Sequence, residues 1–149
     1  KKSPVDIGEI VREVVEVYQY MAEDKNISIA FTYPPSLFLA VDEIRLKQAI
    51  SNILDNAVKY SPEQTIVSVT VKDVPDFIEI NISDQGDGIS EEQLCNIWDR
   101  NFSYDPNQEK EGLGVGLHIS KVFIEAHGGE ITIETERGKG SCFTLRLPK

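Results

Sequence analysis

The stretch LKQAISNILDNAVKY, Leu46 to Tyr60, reads as one helix carrying two stripes. At about 100° per residue, Leu46, Ile50, Ile53, Leu54 and Ala57 fall on one side, as in a helix packed on a core. Asn52, Asn56 and Lys59 gather on another side. A core-facing helix has no packing need for two amides and an ammonium in register. Amide oxygens ligate hard cations and a lysine meets phosphate charge, so the second stripe suits a magnesium-bound polyphosphate. A solvated outer face is the alternative.

Asp42 stands before this helix as its N-cap, and Ser61-Pro62 ends it. Upstream, Val5 to Met21 has the apolar spacing of an amphipathic helix. Asn26 to Phe31 and Leu37 to Leu39 read as extended segments, with Pro34-Pro35 turning between them. Downstream, Ile66 to Lys72 and Phe77 to Ser83 alternate apolar and polar residues, which predicts a hairpin across Asp73-Val74-Pro75-Asp76. Ser90 caps a short helix running through Glu91, Glu92, Leu94 and Ile97. Asp99 to Glu111 is a long polar stretch. A further helix runs from about Gly114 to Ala126 and stops at His127-Gly128-Gly129, and Glu130 to Glu136 and Ser141 to Leu147 form a last hairpin. Strands that come in hairpins predict an α+β chain: a two-layer sandwich with helices on one face of a single mixed, mainly antiparallel sheet.

A length of 149 residues suits one domain, 1–149, with a real core. The chain opens at Lys1-Lys2-Ser3 without a methionine, as expected of a fragment of something longer. No apolar run has membrane-spanning length and nothing resembles a signal peptide. Cys95 and Cys142 lack metal-ligand spacing and read as reduced cysteines of a cytosolic domain, with a disulfide left open. A net charge of −10 argues against nucleic acid as a partner. It does not exclude a nucleotide, provided that cations and a metal are concentrated locally.

The strand before the first glycine turn holds a second anomaly. Ile78, Ile80 and Ile82 share a face, and Asp84 continues it. A carboxylate extending a buried stripe needs hydrogen-bond donors, and the exocyclic amine of adenine is one; capping the turn Gln85-Gly86-Asp87-Gly88 is the other reading. Gly86 and Gly88 let backbone approach a flat ligand, or mark an ordinary surface turn. Gly112-Leu113-Gly114-Val115-Gly116-Leu117 opens a helix, whose free amides make an anion site. It is neither the dinucleotide fingerprint nor a P-loop. In the polar stretch, Arg100 and Lys110 are placed to reach a terminal phosphate or are simply solvated, and Phe102 is placed to anchor the stretch to the body. His118 and His127 lack partners in a ligand-like spacing, and His127 reads as a helix-end residue. Arg137-Gly-Lys-Gly140 is most simply a hairpin turn.

Together these blocks resemble the catalytic ATP-binding domain of two-component sensor histidine kinases, in the superfamily shared with gyrase, MutL and a heat-shock chaperone. Asn52-Ile-Leu-Asp-Asn56-Ala-Val-Lys59-Tyr60 resembles the N box, and Asp84-Gln-Gly86-Asp-Gly88-Ile89 the G1 box. Ile97-Trp-Asp-Arg-Asn-Phe102 resembles the F box and Gly112 to Leu117 the G2 box, while Gly138-Lys-Gly140 falls where a final glycine box lies. The resemblance covers nearly the whole chain. It implies the Bergerat fold, with ATP under a lid made of Asp99 to Glu111. It implies that Asp84 reads the adenine amine, Tyr60 packs on the base, and Asn56 holds Mg2+. Asn52 and Lys59 would serve the magnesium–phosphate region, and the G2 amides would cradle phosphate.

The ATP-hydrolysing relatives carry a water-activating glutamate where Asn52 stands, and an amide cannot act as a general base. Phosphoryl transfer is therefore favoured over hydrolysis. Leu113 replaces the usual Ser or Thr, which removes one hydroxyl contact to phosphate. No phosphoacceptor box is present. The implied activity is transfer of the γ-phosphoryl of ATP to a histidine on a separate dimerisation domain of the parent protein, with a response regulator downstream. The domain itself is expected to be monomeric and cytoplasmic and to make no membrane contact, with anchoring of its parent in the inner or plasma membrane left open. A nucleotide-driven ATPase switch, a serine kinase of the same superfamily, and a non-catalytic nucleotide- or partner-binding module are the alternatives.

Overall fold

The structure, a computed structural model, describes residues 2–98 and 113–149, the side chains of 113–116 excepted. The chain runs β1 (Ser3–Asp6), α1 (Ile7–Asp24), β2 (Ser28–Thr32), β3 (Phe38–Val41), α2 (Glu43–Tyr60), β4 (Ile66–Val74) and β5 (Phe77–Ser83). It continues through α3 (Glu91–Asn96), α4 (Leu113–Ala126), β6 (Glu130–Glu136) and β7 (Gly140–Pro148).

Three helices start on side-chain caps. Asp6 accepts from Gly8 N at 3.1 Å, and Asp42 Oδ1 accepts from Arg45 N at 3.2 Å. Ser90 and Gln93 close a reciprocal capping box at α3. The apolar stripe of α2 (Leu46, Ile50, Ile53, Leu54 and Ala57) is buried, as its period requires.

Five strands form the main sheet in the order β2-β4-β5-β7-β6, with β2 and β4 parallel and the other neighbours antiparallel. Register aligns Phe31, Val69, Ile82, Phe143 and Ile133 in one inward row, and Val71, Ile80, Leu145 and Ile131 in the next. On this face α1 meets β2, α2 meets the central β5, and α4 meets β6 and β7. The opposite face is polar: Arg146 bridges Glu79 at 2.9 Å and Glu130 at 3.0 Å. The two-layer α+β architecture is the one expected, with the mixed sheet beneath one helical layer.

The single sheet needs a correction. β3 leaves the main sheet and pairs antiparallel with β1, Ser3 opposite Val41 and Asp6 opposite Phe38. Val5, helical by its spacing alone, lies in this ribbon, and the helix starts at Ile7. A four-residue strand has too few alternations to announce itself, and its partner lies more than thirty residues away.

Candidate functional site

The site is built where the end of α2, the loop after β5 and the β6–β7 turn converge. On α2, Asn56 is 2% exposed, and its Oδ1 is buried with no hydrogen-bond partner among the described residues. An orphaned buried carbonyl oxygen is costly in a finished core and natural in a waiting ligand atom. Asn52, one turn earlier, is half-buried and already engaged in an interaction. Lys59 is exposed, and its Nζ lies 3.2 Å from Asp55 Oδ2. The ammonium of the stripe thus meets a carboxylate of its own helix. Tyr60 closes α2, half-buried.

Asp84 combines the two readings left open above. Its Oδ1 caps the turn, accepting from Gly86 N at 2.9 Å and from Ser141 N at 3.3 Å. Its other oxygen has no partner among the described residues. Burial pushes the carboxyl above its usual range, against the downward pull of the Gly86 and Ser141 amides.

Gly86 and Gly88 are required by protein backbone before any ligand arrives. A Cβ on Gly86 would come within 2.8 Å of the Tyr60 carbonyl oxygen, which presses the Asp84 loop against the end of α2. Gly88 has φ +80°, and a Cβ there would strike the Glu136 carbonyl. Ile89 is buried, and its N–H donates to Thr135 Oγ1 at 2.8 Å.

Residues that sequence reasoning passed over hold this loop in place. Asp84 N donates to Ser141 O at 2.8 Å, and Gly138 N to Asp87 O at 2.7 Å. Thr135 Oγ1 and Ser141 Oγ lie 2.9 Å apart. Gln85 Oε1 accepts from Ile66 N at 2.7 Å, fastening the loop to the start of β4. The turn Arg137-Gly-Lys-Gly140 is therefore a clamp on the Asp84 loop as well as a hairpin turn. The glycines Gly138 and Gly140 were its only signal in the sequence.

Gly114, Val115 and Gly116 lie in the first turn of α4, which begins one residue earlier than expected, at Leu113, and Leu117 is fully buried. Arg100, Phe102, Lys110 and Gly112 lie outside the described residues, as do the expected lid and the F box beyond Trp98. His118 Nδ1 lies 3.2 Å from Trp98 O, and His127 Nδ1 lies 3.1 Å from Phe123 O at the end of α4. Both cysteines are free. No group of three or more His, Cys, Asp or Glu that could hold a metal occurs among the described residues. A cation at Asn56 would thus be held by one amide oxygen, with phosphate and water completing the shell, which fits Mg2+ chemistry.

Residues 41–149 match the profile of the family described as histidine kinase-, DNA gyrase B- and HSP90-like ATPase. The adaptive-response sensory kinase SasA of Synechocystis sp. is 32% identical over 149 residues, which is 97% of this chain and 38% of that kinase. The chain thus spans well under half the length of this curated relative. The catalytic domain of histidine kinase ThkA superposes with a TM-score of 0.88 at 26% identity, over 100% of this chain and 96% of that one. ThkA in complex with the response regulator TrrA gives 0.82 at 25% identity, over 99% and 42%. Full-length ShkA in complex with AMPPNP gives 0.87 at 29% identity, over 99% and 31%.

Proposed function

The chain belongs to the histidine kinase-, DNA gyrase B- and HSP90-like ATPase family, and we propose that it is the single ATP-binding catalytic domain of a sensor histidine kinase, using Mg-ATP to phosphorylate a histidine on a separate dimerisation domain. The observation that carries this reading is the buried Asn56 Oδ1, without a partner among the described residues and one turn before the tyrosine that abuts the Asp84 loop.

In this reading the free oxygen of Asp84 accepts the adenine amine, and Tyr60 packs on the base. Asn56 Oδ1 ligates Mg2+, which when bound neutralises phosphate charge. Asn52 holds the magnesium–phosphate region, and Lys59 joins it by leaving Asp55. The first-turn amides of α4 cradle phosphate, and Arg100 and Lys110 serve its terminal end. With an amide at Asn52 the chain has no base there to activate water, so it orients the γ-phosphoryl for an acceptor brought from outside. The acceptor then comes from the same parent protein or its dimer partner, and a response regulator takes the phosphoryl group onward, as the ThkA–TrrA complex supports. Among the described residues no helix is long and apolar enough to cross a membrane.

The test is an ATP titration with and without magnesium, followed by Trp98 fluorescence and by calorimetry. Saturable binding that Mg2+ strengthens, with the strengthening lost in Asn56→Ala, supports the reading. Calorimetric silence with both forms of the nucleotide rejects it.

A further inference from the structure

The last turn of α2 carries Asn56, Lys59 and Tyr60, and a helix end leaves its final carbonyls without intrahelical partners. Here they are met from outside the ladder. Ser61 Oγ donates to Ala57 O at 2.6 Å. Lys25 Nζ donates to Val58 O at 2.9 Å and to Lys59 O at 2.7 Å. Lys25 is the C-cap residue of α1, so the tie joins two helices.

The backbone around Lys25 is stitched to the same region. Asn26 takes a positive φ of 59°, which turns the chain so that its carbonyl accepts from Gln64 N at 2.8 Å. Ser28 N donates to Thr65 O at 3.1 Å. The remaining carbonyl of the turn, that of Tyr60, abuts Gly86. In a chain with 25 acidic residues, the Lys25 ammonium is nevertheless given to two carbonyls. A cation at a helix C-terminus meets the negative end of the dipole, and bonds to an ionised donor are shorter and stronger than neutral ones.

The geometry points to Lys25 as a positioning residue for the nucleotide site, holding the last turn of α2 from α1 so that Asn56 Oδ1 stands at the magnesium position. This rests on the functional reading above and deepens it. Lys25 acts through the Val58 and Lys59 carbonyls.

The experiment measures ATP affinity by calorimetry, with magnesium and with EDTA, for the wild-type chain, Lys25→Met and Lys25→Arg. A urea melt of each accompanies it. Lys25→Met keeps the aliphatic stem and loses the donors. It is expected to lose most of the magnesium enhancement, about fivefold or more, while its affinity in EDTA stays within about twofold of wild type. Lys25→Arg, whose guanidinium can serve both carbonyls, is expected to recover most of the enhancement. A lower urea midpoint with the enhancement intact would mean a purely structural tie and would overturn the inference. Should Lys25→Met not fold, Lys25→Gln, with a donor for one carbonyl, carries the same readout: a reduced enhancement supports the inference and a full one overturns it. A wild-type chain that binds no ATP in either condition rejects the functional reading and this inference with it. Wild-type binding with an undiminished enhancement in the variants rejects the inference alone.

Discussion

Asp84 divides two tasks between two oxygens. Oδ1 holds the turn through the Gly86 and Ser141 amides, and the other oxygen, without a partner among the described residues, is the one proposed to meet the ligand. Burial raises its pKa above the unfolded value, so its contribution to stability is full below the ordinary carboxylate pKa of about 3.9 and is lost as pH rises through the folded value. At neutral pH the ligand-free chain therefore carries a charge that opposes its own folding. Asp84→Asn keeps the acceptor for both amides and removes the charge. Urea melts at pH 7 are expected to show the variant as stable as wild type or more so, by up to about 1 kcal/mol. Calorimetry is expected to show ATP affinity at least about tenfold lower. A variant that binds ATP normally contradicts this assignment. For the wild type, affinity should fall as pH is lowered through a window that starts above the usual carboxylate range, because protonation removes the charge that strengthens the acceptor proposed for the adenine amine. A flat profile down to the onset of acid unfolding would count against it. Asn56 and Asp84 were both legible in the sequence, Asn56 by its register with a second amide and an ammonium on a face of its own, and Asp84 by extending an apolar stripe. The pairing of Lys59 with Asp55 was not, since both a phosphate and a carboxylate four residues back suit an ammonium.

Among the elements, the β6–β7 hairpin does the least expected work. Its turn is bonded to the Asp84 loop at both ends, through Gly138 N to Asp87 O and through Ser141 to Asp84. Gly140 has φ +120°, and a Cβ there would collide with the Asp84 carbonyl; Gly138 has φ +84° and open space around it. Gly140→Ala is therefore expected to cost about 3 kcal/mol or more and to weaken ATP binding by displacing Asp84. Gly138→Ala should cost only about 1 kcal/mol of backbone strain and leave binding nearly unchanged. Denaturant midpoints and titrations on the pair decide this, and equal losses would mean that the turn does not clamp the loop. Alternation and glycine placement made the hairpin readable as a hairpin. What it docks on was unreadable, because Ser141 lies 57 residues from Asp84 and no local period spans that gap.

At the scale of the molecule, a net charge of −10 acts on every element at once. Several of the ion pairs are at the exposed surface and contribute little each, so net repulsion among the acids is expected to dominate the salt response. Raising monovalent salt from about 0.02 to 0.3 M shortens the screening length severalfold and should raise the thermal midpoint by a few degrees. A midpoint that falls would show that the attractive pairs outweigh the repulsion. By itself the sequence determined the helices, the two hairpins, the layer that buries Leu46 to Ala57 against Ile78 to Ile82, and the two polar residues that stand beside and at the end of those stripes. All of these follow from periods of 3.6 and 2 written along short segments. Only the tertiary structure decided that β3 leaves the main sheet for β1, that the last turn clamps Asp84, and that Lys25 of α1 closes the end of α2. Those outcomes turn on which backbone amides, carbonyls and ammonium groups meet once the layers pack, and partners so distant in sequence leave no periodic trace in it.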